Sequence, residues 1–343
     1  MKHVLMGGDG FVGAELAKRL AGDGAEVVVA DIARSPHAHY KDVTHVTCDI
    51  RDKEAVNRLP IGQDDVVHNL AAKMLSPIMK RRERYDFFWP VNYFGAKHLL
   101  DATKRAGASK YVQFTTDMVY GHTVQSPQTE DHPCAPIGEY GLSKRATEEM
   151  AIAARADGMD VTIFRPRLII GPGRLGILSK LFRLIDANLP VPMIGSGRNP
   201  YQFVSVYDCA EASRLAAKHG CPNGEYNLGS NNPPSVRDLL KSLIKSAGSR
   251  SILVPTPGFL VKATLEGLDR LNVPLMDPEQ YRIADEYCVR DTKAAERDLG
   301  WVPAYDDSAM LNAAYAEYKG QSPSAGHEPT SSQESGSRRA LQS

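Results

Sequence analysis

The segment Gly7-Gly8-Asp9-Gly10-Phe11-Val12-Gly13 follows a short apolar run, His3–Met6, and leads into a stretch with helical periodicity, Phe11–Ala21. Gly7, Gly10 and Gly13 stand three apart. Glycines in this setting let the chain turn sharply, bring backbone N–H groups up to a pyrophosphate and let the helix pack closely on the strand. A strand, a glycine loop and a helix in succession predict a dinucleotide site at Gly7, Gly10, Phe11, Val12 and Gly13. Asp31 ends the second apolar run, placed to accept hydrogen bonds from both ribose hydroxyls. Its charge would repel a 2′-phosphate, which favours NAD over NADP, while Arg34 nearby keeps NADP open. Asp49-Ile50 ends the third run and suits the adenine edge, although an ordinary strand-end turn has the same composition. Asp9 is unfavourable beside a pyrophosphate unless it points to solvent or caps the helix.

Six strand-like runs, His3–Met6, Glu26–Ala30, His45–Cys48, Asp65–Asn69, Tyr111–Thr115 and Val161–Phe164, alternate with helical stretches. The helices are expected at Phe11–Ala21, Lys53–Leu59, Val91–Arg105 and Leu142–Ala156. This alternation predicts an α/β fold, a doubly wound parallel sheet covered by helices on both faces. Beyond Arg165 the chain is richer in Pro and Gly, with a strand-helix pair at Phe203–Val206 and Cys209–Lys218, a strand near Glu225–Leu228 and a helix at Val236–Ala247. The expected division is a dinucleotide-binding domain over 1–171, rejoined by 201–229, and a smaller substrate-binding lobe from 172–200 and 230–318. Residues 320–343 are polar and aperiodic and are expected to be a disordered tail.

Lys plus Arg and Asp plus Glu number 41 each, so no overall charge draws the chain to nucleic acid or an anionic membrane. No apolar run reaches the roughly 18 residues of a membrane span. Five scattered cysteines without a CxxC pattern argue against a disulfide framework and fit a cytoplasmic protein. His37-Ala38-His39 lacks a third ligand, so no metal site is expected. Lys80-Arg81-Arg82-Glu83-Arg84 reads as an exposed helical face. Arg338-Arg339 is too short for a targeting address, and no nucleophile elbow is present.

Tyr140-Gly141-Leu142-Ser143-Lys144 carries the chemistry. Tyr and Lys four apart at a helix start share one face. A free phenol, with a pKa of about 10, is a poor base at neutral pH. A nearby ammonium and a positive nicotinamide ring both favour the phenolate, which can then take a proton from a substrate hydroxyl as hydride leaves the same carbon. Thr115-Thr116-Asp117-Met118 follows another strand, at the sheet edge where open α/β proteins bind ligands. There the Thr116 hydroxyl can donate to the reacting oxygen. Asp117 is a candidate auxiliary acid. Thr capping of a strand end is the plain alternative for the hydroxyl.

Over residues 1–318 the chain resembles the extended short-chain dehydrogenase/reductase superfamily, in particular its NAD-dependent epimerase/dehydratase family. The resemblance rests on the glycine loop, Asp31, Asp49-Ile50, His68-Asn69-Leu70-Ala71-Ala72, Val91-Asn92-Tyr93-Phe94-Gly95, the Thr116 motif and the Tyr140/Lys144 pair. It continues through Arg165-Pro166-Arg167, Gly171-Pro172-Gly173, Phe203-Val204-Ser205-Val206-Tyr207-Asp208, Tyr226-Asn227-Leu228-Gly229 and Leu299-Gly300-Trp301-Val302-Pro303. It implies that Leu70, Ala71, Ala72, Thr115 and Pro166 line the cofactor with Asn92 close by. It also implies that Lys144 contacts the nicotinamide ribose and that Thr116 partners Tyr140. Members commonly form homodimers through the two helices read here as Val91–Arg105 and Leu142–Ala156.

Departures from the family pattern bear on substrate. Nucleotide-sugar 4,6-dehydratases follow the Thr with an Asp-Glu pair, and here the Glu position is Met118, which cannot exchange a proton. Leu168 stands where many UDP-sugar epimerases have a diphosphate-holding Asn, and Tyr201 where a phosphate-binding Arg is usual. Arg282 is a candidate for a further phosphate-binding Arg, and Arg167, Arg174, Lys180, Arg183 and Arg198 for a replacement anion site. The apolar segment Arg167-Leu168-Ile169-Ile170, followed by Leu175, Ile177, Leu178, Leu181 and Phe182, and the stretch Pro257–Leu271 resemble the 3β-hydroxysteroid dehydrogenase branch, and core packing is their plainer reading. A nucleotide sugar is thus the leading small-molecule substrate and an apolar secondary alcohol the alternative.

Overall fold

A computed structural model describes residues 1–34, 43–173, 176 and 178–320. His37, His39, Arg174, Leu175, Ile177 and the tail from 321 lie outside the described residues. The strands are β1 (Lys2–Met6), β2 (Glu26–Asp31), β3 (Val43–Thr47), β4 (Val66–Asn69), β5 (Lys110–Phe114), β6 (Asp160–Pro166), β7 (Leu168–Ile170), β8 (Val191–Ile194), β9 (Phe203–Ser205), β10 (Gly224–Leu228) and β11 (Leu253–Thr256). The helices are α1 (Phe11–Gly22), α2 (Lys53–Asn57), α3 (Arg84–Trp89), α4 (Ala96–Arg105), α5 (Glu139–Arg155), α6 (Leu178–Asp186), α7 (Val206–Lys218), α8 (Val236–Ser246), α9 (Gly258–Arg270), α10 (Pro278–Tyr281), α11 (Lys293–Leu299) and α12 (Asp307–Tyr318).

Seven strands pair in parallel in the order β10-β6-β5-β4-β1-β2-β3. Successive side chains of one strand face opposite ways, so a parallel sheet needs cover on both sides. Val4 and Met6 point with Val67, Tyr111 and Ile163 at Val56, Leu99, Leu100, Ala151 and Ala154 of α2, α4 and α5. Leu5, Val27 and Val29 face the other way, against Leu16, Ala17 and Leu20 of α1 and Ala210 of α7. Sequence order reverses between β1 and β4, opening the crevice at the carboxyl ends of the strands where such sheets bind ligands.

A second core joins Phe182 and Ile185 of α6, Val191 and Met193 of β8, Leu239, Leu240 and Leu243 of α8, and Met310, Leu311, Ala314 and Tyr315 of α12. It forms the lobe over the strand ends, with the pair β8–β11, and the paired strands β7 and β9 pack onto it through Ile170 and Phe203.

Three expectations need correction. The helix read as Val91–Arg105 is two pieces: Pro90–Gly95 is a π-helical turn running into α4. Pro90 has no N–H to give the preceding turn, and the wider winding accommodates it. The basic run ending at Arg84 is not wholly an exposed face, because Arg84 is buried with its guanidinium on Asp269 and within 3.4 Å of Asp277. The stretch Pro257–Leu271 does not pack as core: α9 buries only Asp269 and leaves Phe259, Leu260 and Leu271 exposed.

Candidate active site

The sheet and the lobe enclose one cavity of about 470 Å³. Its sheet wall carries Gly7, Gly10, Phe11, Val12, Gly13, Asp31, Asp49, Ile50, Leu70, Ala71, Ala72, Thr115, Thr116, Asp117, Tyr140, Lys144 and Pro166. Tertiary folding therefore brings every cofactor and catalytic candidate except Asn92 to one surface. Asn92 is buried behind it, its Oδ1 accepting from the Lys73 N–H (2.8 Å) and its amide donating to the Lys73 carbonyl and Ser143 Oγ. It holds the backbone of a lining residue and does not face the cavity.

The loop is shaped for close backbone approach. Gly7 has φ +79°, and a Cβ there would come 2.6 Å from the Ala71 nitrogen. A Cβ on Gly13 would meet the Gly7 carbonyl at 2.4 Å. Only glycine fits either place. Asp31 Oδ2 accepts from the Asp9 N–H at 3.1 Å, tying the loop to the end of β2. Burial raises the Asp31 pKa, against the lowering effect of the Ile32 and Asp9 N–H groups. Asp9 takes neither expected course: its side chain is buried, 3.5 Å from His45 Nδ1, and does not line the cavity. The Asp49 carboxylate is occupied by the Arg51 guanidinium at 2.6 Å, which with burial working against it holds the carboxyl below its usual range. This glycine cradle and the ribose-side carboxylate fit a dinucleotide.

Of the catalytic candidates, Tyr140 and Lys144 sit on the first two turns of α5. Lys144 is buried, donates to the Phe114 carbonyl at 3.1 Å, and is pushed down to about 8 by desolvation, with Glu148 opposing. Glu148 is itself buried, gripped by Arg165 through two nitrogens and accepting from Thr115 Oγ1 at 2.6 Å. Thr116 begins a 3₁₀ turn, its hydroxyl accepting from the Met118 N–H at 3.2 Å and lying 3.4 Å from Asp117 Oδ1.

Asp117 does not suit the auxiliary-acid role. Its Oδ2 accepts from Arg167 at 2.7 Å and from Arg290 at 2.8 Å. Burial would raise its pKa, but the two guanidiniums outweigh that and lower it, so it holds no proton to give. Arg290 has no sequence signature; it reaches the site because the chain around it pairs with Gln128.

The lobe wall is different. Leu168, Ile169, Leu178, Ile194, Tyr201, Met276, Ile283 and Ala284 line it, with Gln280 as a polar member. The lining cations among the described residues are Arg51, Lys73, Lys144 and Arg167. Of the replacement-anion candidates among the described residues, only Arg167 reaches the cavity, and it is committed to Asp117 with its guanidinium over the Tyr201 ring. Lys180 donates to the Leu275 carbonyl, Arg183 bonds within its own helix, and Arg198 is exposed. Arg282 pairs with Glu266 at 2.6 Å and lies outside the lining. Those residues build no shared anion site.

A family model described as "NAD dependent epimerase/dehydratase family" matches residues 3–229. The chain belongs to the NAD-dependent epimerase/dehydratase family. Its cofactor is NAD, and its chemistry is that of the extended short-chain dehydrogenase/reductases. As a member of this family it is 32% identical over 326 residues to protein y4nG of Sinorhizobium fredii, covering 94% of this chain and 80% of that one. It is 28% identical over 335 residues to a dTDP-glucose 4,6-dehydratase of Streptomyces griseus, covering 92% and 94%. The fold matches that of a UDP-glucose 4-epimerase from Thermotoga maritima with a TM-score of 0.75 at 23% identity, over 93% of this chain and 99% of the other. No helix among the described residues is long and apolar enough to cross a membrane.

Proposed function

We propose that this family member is an epimerase that oxidises and re-reduces one secondary carbinol carbon of a nucleotide sugar. The observation that carries this reading is the convergence of Tyr140, Lys144 and Thr116 beside the glycine loop, with Met118 at the position of the elimination carboxylate. NAD supplies the hydride acceptor, and once reduced the donor. Tyr140 takes the proton of the substrate hydroxyl and returns it when the carbon is reduced again. Lys144, as a buried ammonium, favours the phenolate. Thr116 turns its hydroxyl toward the reacting oxygen and stabilises it as charge develops.

Gly7, Gly10, Phe11, Val12 and Gly13 hold the pyrophosphate in this reading, Asp31 the ribose, and Asp49 and Ile50 the adenine edge. Leu70, Ala71, Ala72, Thr115 and Pro166 line the remainder, Lys144 also meets the nicotinamide ribose, and Asn92 supports this wall through Lys73. Residues 1–171 with 201–229 make the cofactor part, whose strands β7 and β9 pack on the lobe core and lend it Leu168, Ile169 and Tyr201 for the lobe wall; 172–200 and 230–318 make the substrate lobe. Family habit and the exposed Phe94 and Leu142 beside the paired helices support a homodimer. The free cysteines suit the cytoplasm.

The apolar lobe wall favours a second reading, oxidation of an apolar secondary alcohol. Thermal unfolding with UDP or dTDP separates the two, because a ligand of the folded state raises Tm by mass action. A rise with either nucleotide, and conversion of a sugar carrying it into its stereoisomer, support the epimerase. No rise and no conversion across the common UDP and dTDP sugars would overturn it and leave the apolar alcohol.

A further inference from the structure

The helix that carries Tyr140 starts without a side-chain cap of its own: Gly138 at its N-cap is extended, with φ −141° and ψ −179°. The first N–H groups of a helix have no partner within it. Two of them are met here by a carboxylate 139 residues away in the sequence. Glu279 Oε1 accepts from the Tyr140 N–H at 2.9 Å and from the Gly141 N–H at 3.2 Å; Oε2 accepts from the Gly141 N–H at 2.9 Å. Glu279 is 1% exposed.

The seat for this carboxylate is cut by two glycines. A Cβ on Gly138 would stand 2.6 Å from Glu279 Oε1, and one on Gly141 would stand 3.0 Å from Oε2. Glu279 is itself anchored. Asp277 caps α10, accepting from the Glu279 N–H at 3.1 Å, and with Asp269 faces Arg84 of α3. From the same α3, Phe88 lies against the Tyr140 ring, with centroids 5.5 Å apart. The next residue after Glu279 is Gln280, which with Ile283 and Ala284 lines the lobe wall of the cavity.

We infer that Glu279 is a positioning residue: it ties the backbone of the catalytic tyrosine to the segment against which the substrate rests, so that base and substrate keep one register. The inference rests on the reading of Tyr140 as the base. A misplacement of about 1 Å at such a site costs on the order of a hundredfold in rate.

The test uses the full chain with NAD bound and compares Glu279→Ala, Glu279→Gln and Gly138→Ala. Amide hydrogen exchange, read without substrate, should rise at residues 140–141 in Glu279→Ala and stay near the original in Glu279→Gln, which keeps an acceptor oxygen in place. With the nucleotide sugar that the unaltered chain converts, Glu279→Ala should lower kcat by ten- to a hundredfold with KM and NAD affinity within about threefold. Glu279→Gln should recover most of that loss. Gly138→Ala, which pushes the carboxylate aside and leaves it in the protein, should lower kcat in the same direction; it decides the matter if Glu279→Ala does not fold. Unchanged exchange in both Glu279→Ala and Gly138→Ala would overturn the inference, as would a Gln variant as impaired as the Ala variant. A chain that converts no nucleotide sugar would overturn the substrate reading alone, because exchange still decides Glu279.

Discussion

The two walls of the cavity are built by different means. The sheet wall is set by a glycine loop, strand ends and a helix start, each fixed by its own local sequence. The lobe wall is side chains from β7, α6, β8, the approach to β9 and the α10 region, which meet only when the chain has folded. Backbone sites demand particular residue types at particular spacings, so a motif reports them. A side-chain wall can be filled by many residues of the right size, so its chemistry follows from contacts and not from spacing.

Experiments that probe the two walls differ in expected size. Tyr140→Phe should lower turnover by roughly a hundred- to ten-thousandfold, the usual reach of general acid–base catalysis, and leave NAD affinity unchanged in a binding titration. Equal losses of turnover and NAD affinity would show that the sheet wall does not separate binding from chemistry as described.

Asp117→Asn tests the boundary between the walls. It leaves the Arg167 and Arg290 guanidiniums buried without their carboxylate. Urea unfolding should show a loss of about 3–5 kcal/mol, the cost typical of breaking a buried pair. A loss under about 1 kcal/mol would mean that solvent reaches the cluster.

Asp31→Asn should weaken NAD binding by about tenfold, the order expected for lost hydrogen bonds to a charged acceptor, and narrow the preference over NADP. Fluorescence titration with both dinucleotides measures it. An unchanged preference would move discrimination to other residues.

The smallest effect is in pH. Lys144 is lowered to about 8 by burial. Its ammonium is present below that pH and is lost as pH rises through it, so the charge that favours the phenolate goes with it. The rate should therefore stop rising with pH and fall above about 8. A profile climbing steadily to pH 10 would show that this charge is not used.

Much of the parallel sheet was legible because its strands are short apolar runs and its helices keep one apolar stripe. The helix near Pro90 was not, since a single π-helical turn of six residues is too short to mark the hydrophobic pattern of the helix it runs into. Spacing marked Gly7, Asp31 and Tyr140 as candidates, and the fold brings all three to one cavity. Arg84 did not: among Lys80, Arg81 and Arg82 its composition says solvent, and only Asp269 and Asp277, far along the chain, draw it inside. Arg290 and Glu279 have the same character. Their partners lie 173 and 139 residues away, and nothing local distinguishes either from a surface charge. The apolar residues of α9 misled in the opposite sense, because hydrophobicity at helical spacing reads as core wherever nothing else is known of the neighbours.

In the proposed reaction the sheet wall holds NAD, and the cofactor is regenerated within each turnover. The direct test is to denature the purified protein and quantify the dinucleotide released. An enzyme that regenerates its cofactor can retain it, so near-stoichiometric NAD is expected. Release of NADP would contradict the role given to Asp31, and an empty protein that binds NAD only weakly on titration would contradict the proposed reaction itself.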